Sequence, residues 1–213
     1  MKRAKEKARS SILNDEELRA IWRATGEYRH PFGSMLRFIL LTATRRNEAN
    51  FIKRSEVKRN RMDDTSGEVQ DENRPSHSAV NGGVSLIDTG PSNNLGISSQ
   101  SAEAKSNGFI FTLNGRQAIG GLTRHKQAVD EVSGVMGWTI HDLRRTARSF
   151  MSRGGVSADI AERCLGHVIG GVRGIYDRHE YFEEKKRAFE QLAGQIERIV
   201  NPQTNVVPLR GER

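Results

Sequence analysis

The hydrophobic pattern of residues 12–60 predicts two helices. Leu18 and Ile21 recur at helical spacing on one face, and either Asn14 or Asp15 can cap the helix that carries them. After a turn, residues 35–41 are apolar almost all round, which is typical of a helix buried on every side. This N-terminal arm should therefore pack as a helical unit.

A second arm, residues 108–200, consists mainly of helical stripes separated by glycines. Its first segment, residues 108–112, is predicted to be a short strand that ends in a turn at Asn114 and Gly115. Amphipathic helices follow, and each is ended by a glycine: Gly134, Gly154 and Gly166. The last helix begins near Tyr181, and its apolar face consists of Phe182, Phe189, Leu192, Ile196 and Ile199.

Residues 61–107 differ from both arms. This stretch contains no Phe, Trp or Tyr and is rich in Ser, Gly and Asn, so it has little apolar surface to offset the entropy of ordering the chain. We predict an irregular insertion within one domain that spans residues 12–200. A basic tail, residues 1–11, precedes that domain, and a flexible tail, residues 201–213, follows it.

The chain of 213 residues has a formal net charge of +8, and the excess lies in the two arms. Residues 1–60 carry 15 basic and 7 acidic side chains, residues 61–107 carry 3 and 7, and residues 108–213 carry 16 and 12. Such a basic balance is expected of a protein that binds a polyanion, so nucleic acid is the first partner to test.

Cys164 is the single cysteine of the chain, which excludes an internal disulfide and a zinc site built on cysteines. No apolar run approaches the roughly 20 residues that a membrane span needs, and no apolar signal segment follows the basic N-terminus. We therefore expect a cytoplasmic protein that requires no metal and has no membrane partner.

Four short motifs contain residues able to do chemistry. In chain order they are Arg45, the run from His141 to Arg144, Leu165-Gly166-His167, and Tyr176 nine residues later. Taken singly, each has a structural explanation: a solvated helix cap for Arg45, an N-terminal cap for His141, a loop residue for His167 and packing for Tyr176. Their joint order and spacing favour a functional interpretation.

This order and spacing closely resembles the catalytic domain of the tyrosine recombinases, the phage-type integrases, over residues 12–60 and 108–200. The resemblance implies a mainly α domain with a small β-sheet that breaks and rejoins DNA, with Tyr176 as the nucleophile. It also implies that Arg45 and Arg144 clamp the non-bridging oxygens of the scissile phosphate. His141 and His167 would hydrogen-bond the phosphate or move the proton of the nucleophile.

The same resemblance assigns supporting and competing residues. Glu48 matches an acidic position of the family and would orient Arg45 through a salt bridge; an exposed ion pair without a role is the alternative. Tyr28 and Tyr181 are the competing tyrosines, and their positions do not match the family spacing. We expect both of them to pack or to face solvent.

The residue types suit this chemistry on physical grounds. Two forked guanidiniums can position a phosphate and neutralise its charge without a metal. A phenol with a pKa of about 10 attacks poorly at neutral pH, so a base and a positive pocket must favour its phenolate. Covalent storage of the phosphodiester energy then allows strands to be rejoined without ATP, and we expect no cofactor.

Two features depart from the family. A separate N-terminal domain normally embraces the DNA from the other side, and only residues 1–11 precede the predicted catalytic domain here. The family also has a β-hairpin whose lysine acts as general acid, and residues 61–107 stand in its place. Lys53, Lys58 and Lys105 lie nearby without a strand-turn-strand pattern, so we assign no lysine.

A hypothesis about the gene accounts for the missing hairpin. Read one nucleotide forward, the codons of Met62 to Val84 permit a peptide that begins W-T-I-P and continues through Y-K-T-K to V-I-P-L-S. Residues 61–107 would then be a frameshifted segment, bounded by compensating insertions or deletions near residues 58–61 and 100–107. Coincidence is the alternative, because each shifted codon permits several residues. Resequencing the gene across codons 55–110 decides between them.

The sequence thus predicts site-specific DNA recombination or integration, through a 3′-phosphotyrosyl intermediate, on double-stranded DNA. The alternative is a catalytically inactive, truncated integrase remnant that only binds DNA. The last helix leaves a second choice open: its apolar face packs on its own domain or, as the family resemblance implies, docks on a neighbouring subunit in a homo-oligomer on DNA.

Overall fold

The computed structural model describes residues 12–28, 31–57, 108–167 and 179–202. These residues form seven α-helices, and one turn of 3-10 helix covers Arg54–Glu56. The helices are α1 (Asp15–Tyr28), α2 (Phe32–Thr42), α3 (Arg46–Asn50), α4 (Leu122–Ser133), α5 (Ile140–Arg153), α6 (Ala158–Cys164) and α7 (Phe182–Val200). The prediction of a mainly α fold is confirmed.

Helix α1 begins at one of the two predicted caps. Asn14 Oδ1 accepts hydrogen bonds from the backbone N–H groups of Glu16 and Glu17, and Glu17 Oε2 accepts in return from the Asn14 N–H at 2.9 Å. Just before this cap, the Leu13 N–H donates to Thr146 Oγ1 of α5 at 3.0 Å in a buried contact. Reciprocal capping satisfies donors that a helix start leaves without partners, and the buried contact ties this start to α5.

Helix α2 forms the centre of the core, as its all-round apolar sequence predicts. Met35, Leu36 and Ile39 are fully buried, and the helix packs against α1, α3, α5 and α7. At Gly33 the backbones of α1 and α2 come so close that a Cβ atom would clash with the backbone carbonyl oxygen of Thr25. Only glycine fits this helix crossing.

Replacing Gly33 with alanine is expected to destabilise the protein by about 1–3 kcal/mol, because the methyl group must push two backbones apart. Gly194→Ala is the matched control, since Gly194 lies inside α7 with open space around the position of its Cβ. Alanine has the higher helix propensity, so the control should gain ~0.5–1 kcal/mol. Urea unfolding followed by circular dichroism measures both variants, and equal midpoints would contradict the close crossing.

Helix α7 closes another side of the core. Phe189, Leu192 and Ile196 are buried, and the helix packs against α1, α2, α5 and α6. The apolar face therefore packs on its own domain, the first of the two alternatives, and a homo-oligomer docked through this face would first have to release it. Phe182 does not belong to the buried face, because it is 44% exposed in the first turn and the buried side chains begin at Lys185.

The strand predicted at residues 108–112 is a single antiparallel bridge between Lys53 and Phe109. Two backbone hydrogen bonds, of 2.9 and 3.0 Å, flank it. Pairing stops because the 3-10 turn begins at Arg54 and leads the chain away from its partner. The described residues thus contain no β-sheet, and the expectation of a small sheet is not met within them.

Three predicted segments lie outside the described residues: the basic tail 1–11, the irregular middle 61–107 and nearly all of the tail 201–213. Within the ranges that the structure describes, no helix is both long enough and apolar enough to cross a lipid bilayer.

Candidate functional site

The start of α5 places His141 and Arg144. Thr139 is the N-cap, and Asp142 Oδ2 accepts hydrogen bonds from its backbone N–H and its hydroxyl, each at 2.8 Å. Asp142 is fully buried, and its other oxygen accepts from Arg145 at 2.8 Å. Because Thr139 and Asp142 complete the cap, His141 is not needed for it and lies exposed in the first turn.

Arg144 lies three residues further along α5 and is only 4% exposed. Its guanidinium donates to the backbone carbonyls of Ala43 and Leu165, the latter at 2.7 Å. NH2 also lies 3.2 Å from Nε2 of His167. One forked side chain therefore connects the turn before Arg45 to the end of α6, where His167 lies.

The turn between α2 and α3 presents Arg45. Ala43 ends α2 in the left-handed region, with φ 52° and ψ 24°. This conformation costs a residue with a Cβ atom roughly 1–2 kcal/mol. The hydrogen bond from Arg144 to the Ala43 carbonyl holds the turn in place, and Arg45 follows as the N-cap of α3 with its side chain 49% exposed. Strained backbone sustained by surrounding contacts is concentrated at functional sites.

Glu48 holds Arg45 through two contacts. Its carboxylate accepts from the Arg45 backbone N–H at 2.9 Å and pairs with the guanidinium at 2.7 Å, so the predicted salt bridge is present. Burial alone would raise the pKa of Glu48, but the hydrogen bonds from Arg45 and the charges of Arg45 and Arg144 lower it overall. Glu48 is therefore ionised at neutral pH and limits the repulsion between the two guanidiniums.

The way in which α6 ends places His167. Gly166 adopts φ 66° and donates to the Arg163 carbonyl at 3.0 Å, while the His167 N–H donates to the Glu162 carbonyl at 3.1 Å. These two bonds form a Schellman motif, a helix end that depends on glycine. The reversal brings the His167 ring against the Glu162 side chain, with Nδ1 at 2.5 Å from Oε2.

Positive charge dominates the surroundings of these side chains. His141 is exposed overall, but partial desolvation of its ring lowers its pKa, and the charges of Arg145 and Arg144 are the next largest lowering influences. Burial, followed by the charge of Arg45, also lowers the pKa of Arg144. His141 is therefore a neutral imidazole at neutral pH, whereas a guanidinium keeps its charge throughout the physiological pH range.

Tyr176, the predicted nucleophile, lies outside the described residues. The two competing tyrosines are described, and both make packing contacts. The Tyr28 hydroxyl lies 2.6 Å from Nδ1 of His125, and the Tyr181 ring lies 4.0 Å from the Arg163 guanidinium. Neither of these contacts involves a predicted site residue.

The residues Arg45, His141, Arg144 and His167 are called the Arg–His cluster below. Sequence reasoning predicted these four but missed Glu162 and Arg148, which are joined by an ion pair of 2.8 Å next to His167. Residues five apart do not share a helix face, so helical spacing does not indicate that Glu162 and His167 are in contact. Gly166 was the available signal for this contact, because in a Schellman motif the residue after the glycine donates its backbone N–H to the carbonyl of the residue five positions earlier.

The cluster combines two guanidiniums with two imidazoles, which suits the binding of an oxyanion and the transfer of a proton beside it. Among the described residues, no group of three or more His, Cys, Asp and Glu side chains is arranged to hold a metal ion. No family model, curated protein or solved structure matches the chain. The chemistry of the cluster is therefore the basis for a functional proposal.

Proposed function

We propose that this protein is a tyrosine recombinase, which breaks and rejoins double-stranded DNA through a covalent bond between Tyr176 and a 3′-phosphate. The observation that carries the proposal is the set of contacts made by Arg144. Through its bonds to Ala43, Leu165 and His167, three motifs that lie far apart in the sequence meet in one cluster. Together with the order of the motifs, this convergence supports a phosphate-binding site.

The two arginines have complementary roles in this proposal. Arg144 is buried and bonded to backbone carbonyls, so its remaining N–H groups have a set direction. Arg45 is half exposed and held by Glu48, so it can approach a phosphate that arrives from solvent. Together they neutralise the charge on the non-bridging oxygens, which is the main requirement of phosphoryl transfer.

In the proposed cleavage step, the phenol oxygen of Tyr176 attacks the scissile phosphorus. A P–O bond forms to the tyrosine, and the bond to the 5′-oxygen breaks; the 5′-oxygen leaves with the electron pair and takes a proton from water. The phenol proton passes to an imidazole of the Arg–His cluster, at His141 or His167. Rejoining reverses these steps, so the bond energy is conserved in the phosphotyrosine and no nucleotide is consumed.

The proposal is tested by trapping the covalent intermediate. The full chain is incubated with short duplexes of random sequence that carry a nick in one strand, so that the short 5′-hydroxyl fragment released by cleavage diffuses away and rejoining is blocked. Adducts that survive SDS are isolated, and their DNA is sequenced. We expect protein linked to 3′ ends, an enriched sequence at the cleavage point, and no requirement for a nucleotide or a divalent cation.

A complete lack of adducts would overturn the enzymatic proposal. The alternative, a remnant that only binds DNA, then predicts that the duplexes are still retained and that retention weakens steeply with salt. A protein with six to ten phosphate contacts loses about 10³- to 10⁵-fold in affinity between roughly 50 and 200 mM salt. Failure to retain the duplexes even at low salt would contradict the remnant as well.

A further inference from the structure

We propose that Glu162, held by Arg148, is the positioning residue that makes Nε2 of His167 a hydrogen-bond and proton acceptor. The chemical consequence rests on the proposed function, whereas the positioning itself involves only described residues. The positioning of the His167 ring and its chemical consequence are tested by separate measurements, and each measurement can fail independently of the other.

A chain of hydrogen bonds runs from Arg148 to Arg144 through the ring of His167. Nδ1 of His167 lies 2.5 Å from Glu162 Oε2, and the other oxygen of this carboxylate accepts from Arg148 Nε at 2.8 Å. Arg148 is held in turn by Ser152, whose hydroxyl accepts from NH1 at 2.6 Å. On the opposite side of the ring, Nε2 lies 3.2 Å from NH2 of Arg144. Both ring nitrogens are therefore engaged.

The neighbours determine which ring nitrogen carries the hydrogen. The hydrogen bond with His167, followed by that with Arg148, lowers the pKa of Glu162, so its carboxylate is ionised and can only accept. Nδ1 must then be the donor. A guanidinium can only donate, so Nε2 must present its lone pair to Arg144. Hydrogen on Nε2 would place two donors against each other, so this geometry selects the tautomer with hydrogen on Nδ1.

The end of α6 reinforces this arrangement. The Schellman motif bonds the backbone N–H of His167 to the backbone carbonyl of Glu162, so the two residues are joined through the main chain as well as the side chains. Arg148 lies in α5, the helix that carries Arg144. The ion pair between Glu162 and Arg148 therefore fixes the orientation of the His167 ring relative to the guanidinium of Arg144. Fixing the orientation of another side chain is the task of a positioning residue.

The proposed tautomer assigns His167 one of the two roles that the sequence left open. During cleavage, Nε2 exchanges its contact with Arg144 for the hydroxyl of the nucleophile and takes its proton as the O–P bond forms. The resulting imidazolium is stabilised by the Glu162 carboxylate at Nδ1–H, and the proton returns to the phenol oxygen during rejoining. The N–H group of Arg144 that Nε2 releases becomes available to the phosphate.

The tautomer can be measured on the full chain, without DNA, by ¹H–¹⁵N correlation spectra of the histidine rings. His167 is assigned from the signals that disappear in His167→Asn. At neutral pH we expect hydrogen on Nδ1, whereas an imidazole exposed to water favours hydrogen on Nε2. In Glu162→Ala the Nε2–H form should appear. An Nε2–H ring in the unchanged protein would overturn the positioning role.

The rate of adduct formation measures the chemical consequence, with the duplex that the trapping experiment selects. We expect Glu162→Ala to form adducts about 10- to 100-fold more slowly at unchanged affinity for DNA. The rate for Glu162→Gln should lie between those of the unchanged protein and Glu162→Ala, because the glutamine amide oxygen accepts from Nδ1 but carries no charge. Glu190→Gln, which removes a charge from an exposed position of α7, is the matched control and should react at the normal rate.

A substrate with sulfur in place of the 5′-bridging oxygen separates base from acid catalysis, because a thiolate leaves without taking up a proton. The defect of Glu162→Ala should persist with this substrate if His167 accepts the proton of the nucleophile. Disappearance of the defect, or a normal rate with the ordinary duplex, would overturn the acceptor role. If the unchanged protein forms no adduct with any duplex, the proposed function fails, while the ring spectra still decide the positioning.

Discussion

Replacing Tyr176 with phenylalanine is expected to abolish covalent capture of DNA and to leave the affinity for DNA unchanged. The substitution removes the oxygen that would bond to phosphorus but keeps the aromatic ring, so phosphate binding by the arginines is unaffected. Capture is measured as the fraction of labelled duplex that stays with the protein in SDS. Affinity is measured by fluorescence anisotropy at two salt concentrations.

The two other tyrosines provide matched controls for this prediction. Tyr181→Phe keeps a ring beside Arg163, and Tyr28→Phe loses one hydrogen bond, to His125, worth about 1 kcal/mol. Both variants should form adducts at the normal rate. Adducts formed by Tyr176→Phe would contradict the assignment of the nucleophile. Binding without adducts in the unchanged protein would instead identify the remnant.

The second large effect is expected for Arg144→Lys. A single ammonium group cannot replace a fork that meets Ala43, Leu165 and His167. Burial lowers the pKa of Arg144, and the same desolvation removes part of the charge from a lysine, whose ordinary pKa is lower. We expect adduct formation to slow by about 10²- to 10³-fold. The free energy of unfolding should fall by ~1–3 kcal/mol, because two carbonyls lose a charged partner.

Arg145→Lys is the matched control, because Arg145 is partly exposed and makes one ion pair, with Asp142, at 2.8 Å. Asp142 is fully buried, but lysine keeps a positive charge beside it and Thr139 still donates to its other oxygen, so stability should fall by no more than about 1 kcal/mol and adduct formation should change little. Adduct rates are compared at a temperature at which urea unfolding shows all variants to be folded. A normal rate for Arg144→Lys, at reduced stability, would show that Arg144 is structural and would contradict the phosphate clamp.

Local signals were sufficient to predict most of the helices. Asn14 caps α1, and Gly134 and Gly154 end α4 and α5, as their positions in the sequence indicate. Such features involve residues within one helical turn, so they do not depend on the rest of the fold. The prediction of a strand at residues 108–112 is wrong because a strand, unlike a helix cap, depends on a partner segment elsewhere in the chain. A ladder needs a partner segment of matching length, and the chain around Lys53 pairs at only one position.

The members of the Arg–His cluster were predicted from the order of the motifs, but their environments were not. An arginine in a helix is usually solvated, yet Arg144 is buried because the carbonyls of Ala43 and Leu165 accept from it. The left-handed conformation of Ala43 also has no local signal, since alanine disfavours it. It exists because contacts elsewhere in the fold sustain it.

Sequence alone accounts for the identity and order of the chemical groups: the caps, the glycine helix ends, the all-round apolar α2 and the four residues of the Arg–His cluster. These depend on residue type and on neighbours along the chain. Packing decided which groups meet, that α7 covers its own domain, and that Glu162 and Arg148 hold the ring of His167. Contacts between distant residues follow from how helices bury their apolar faces together, and that burial is a property of the whole fold.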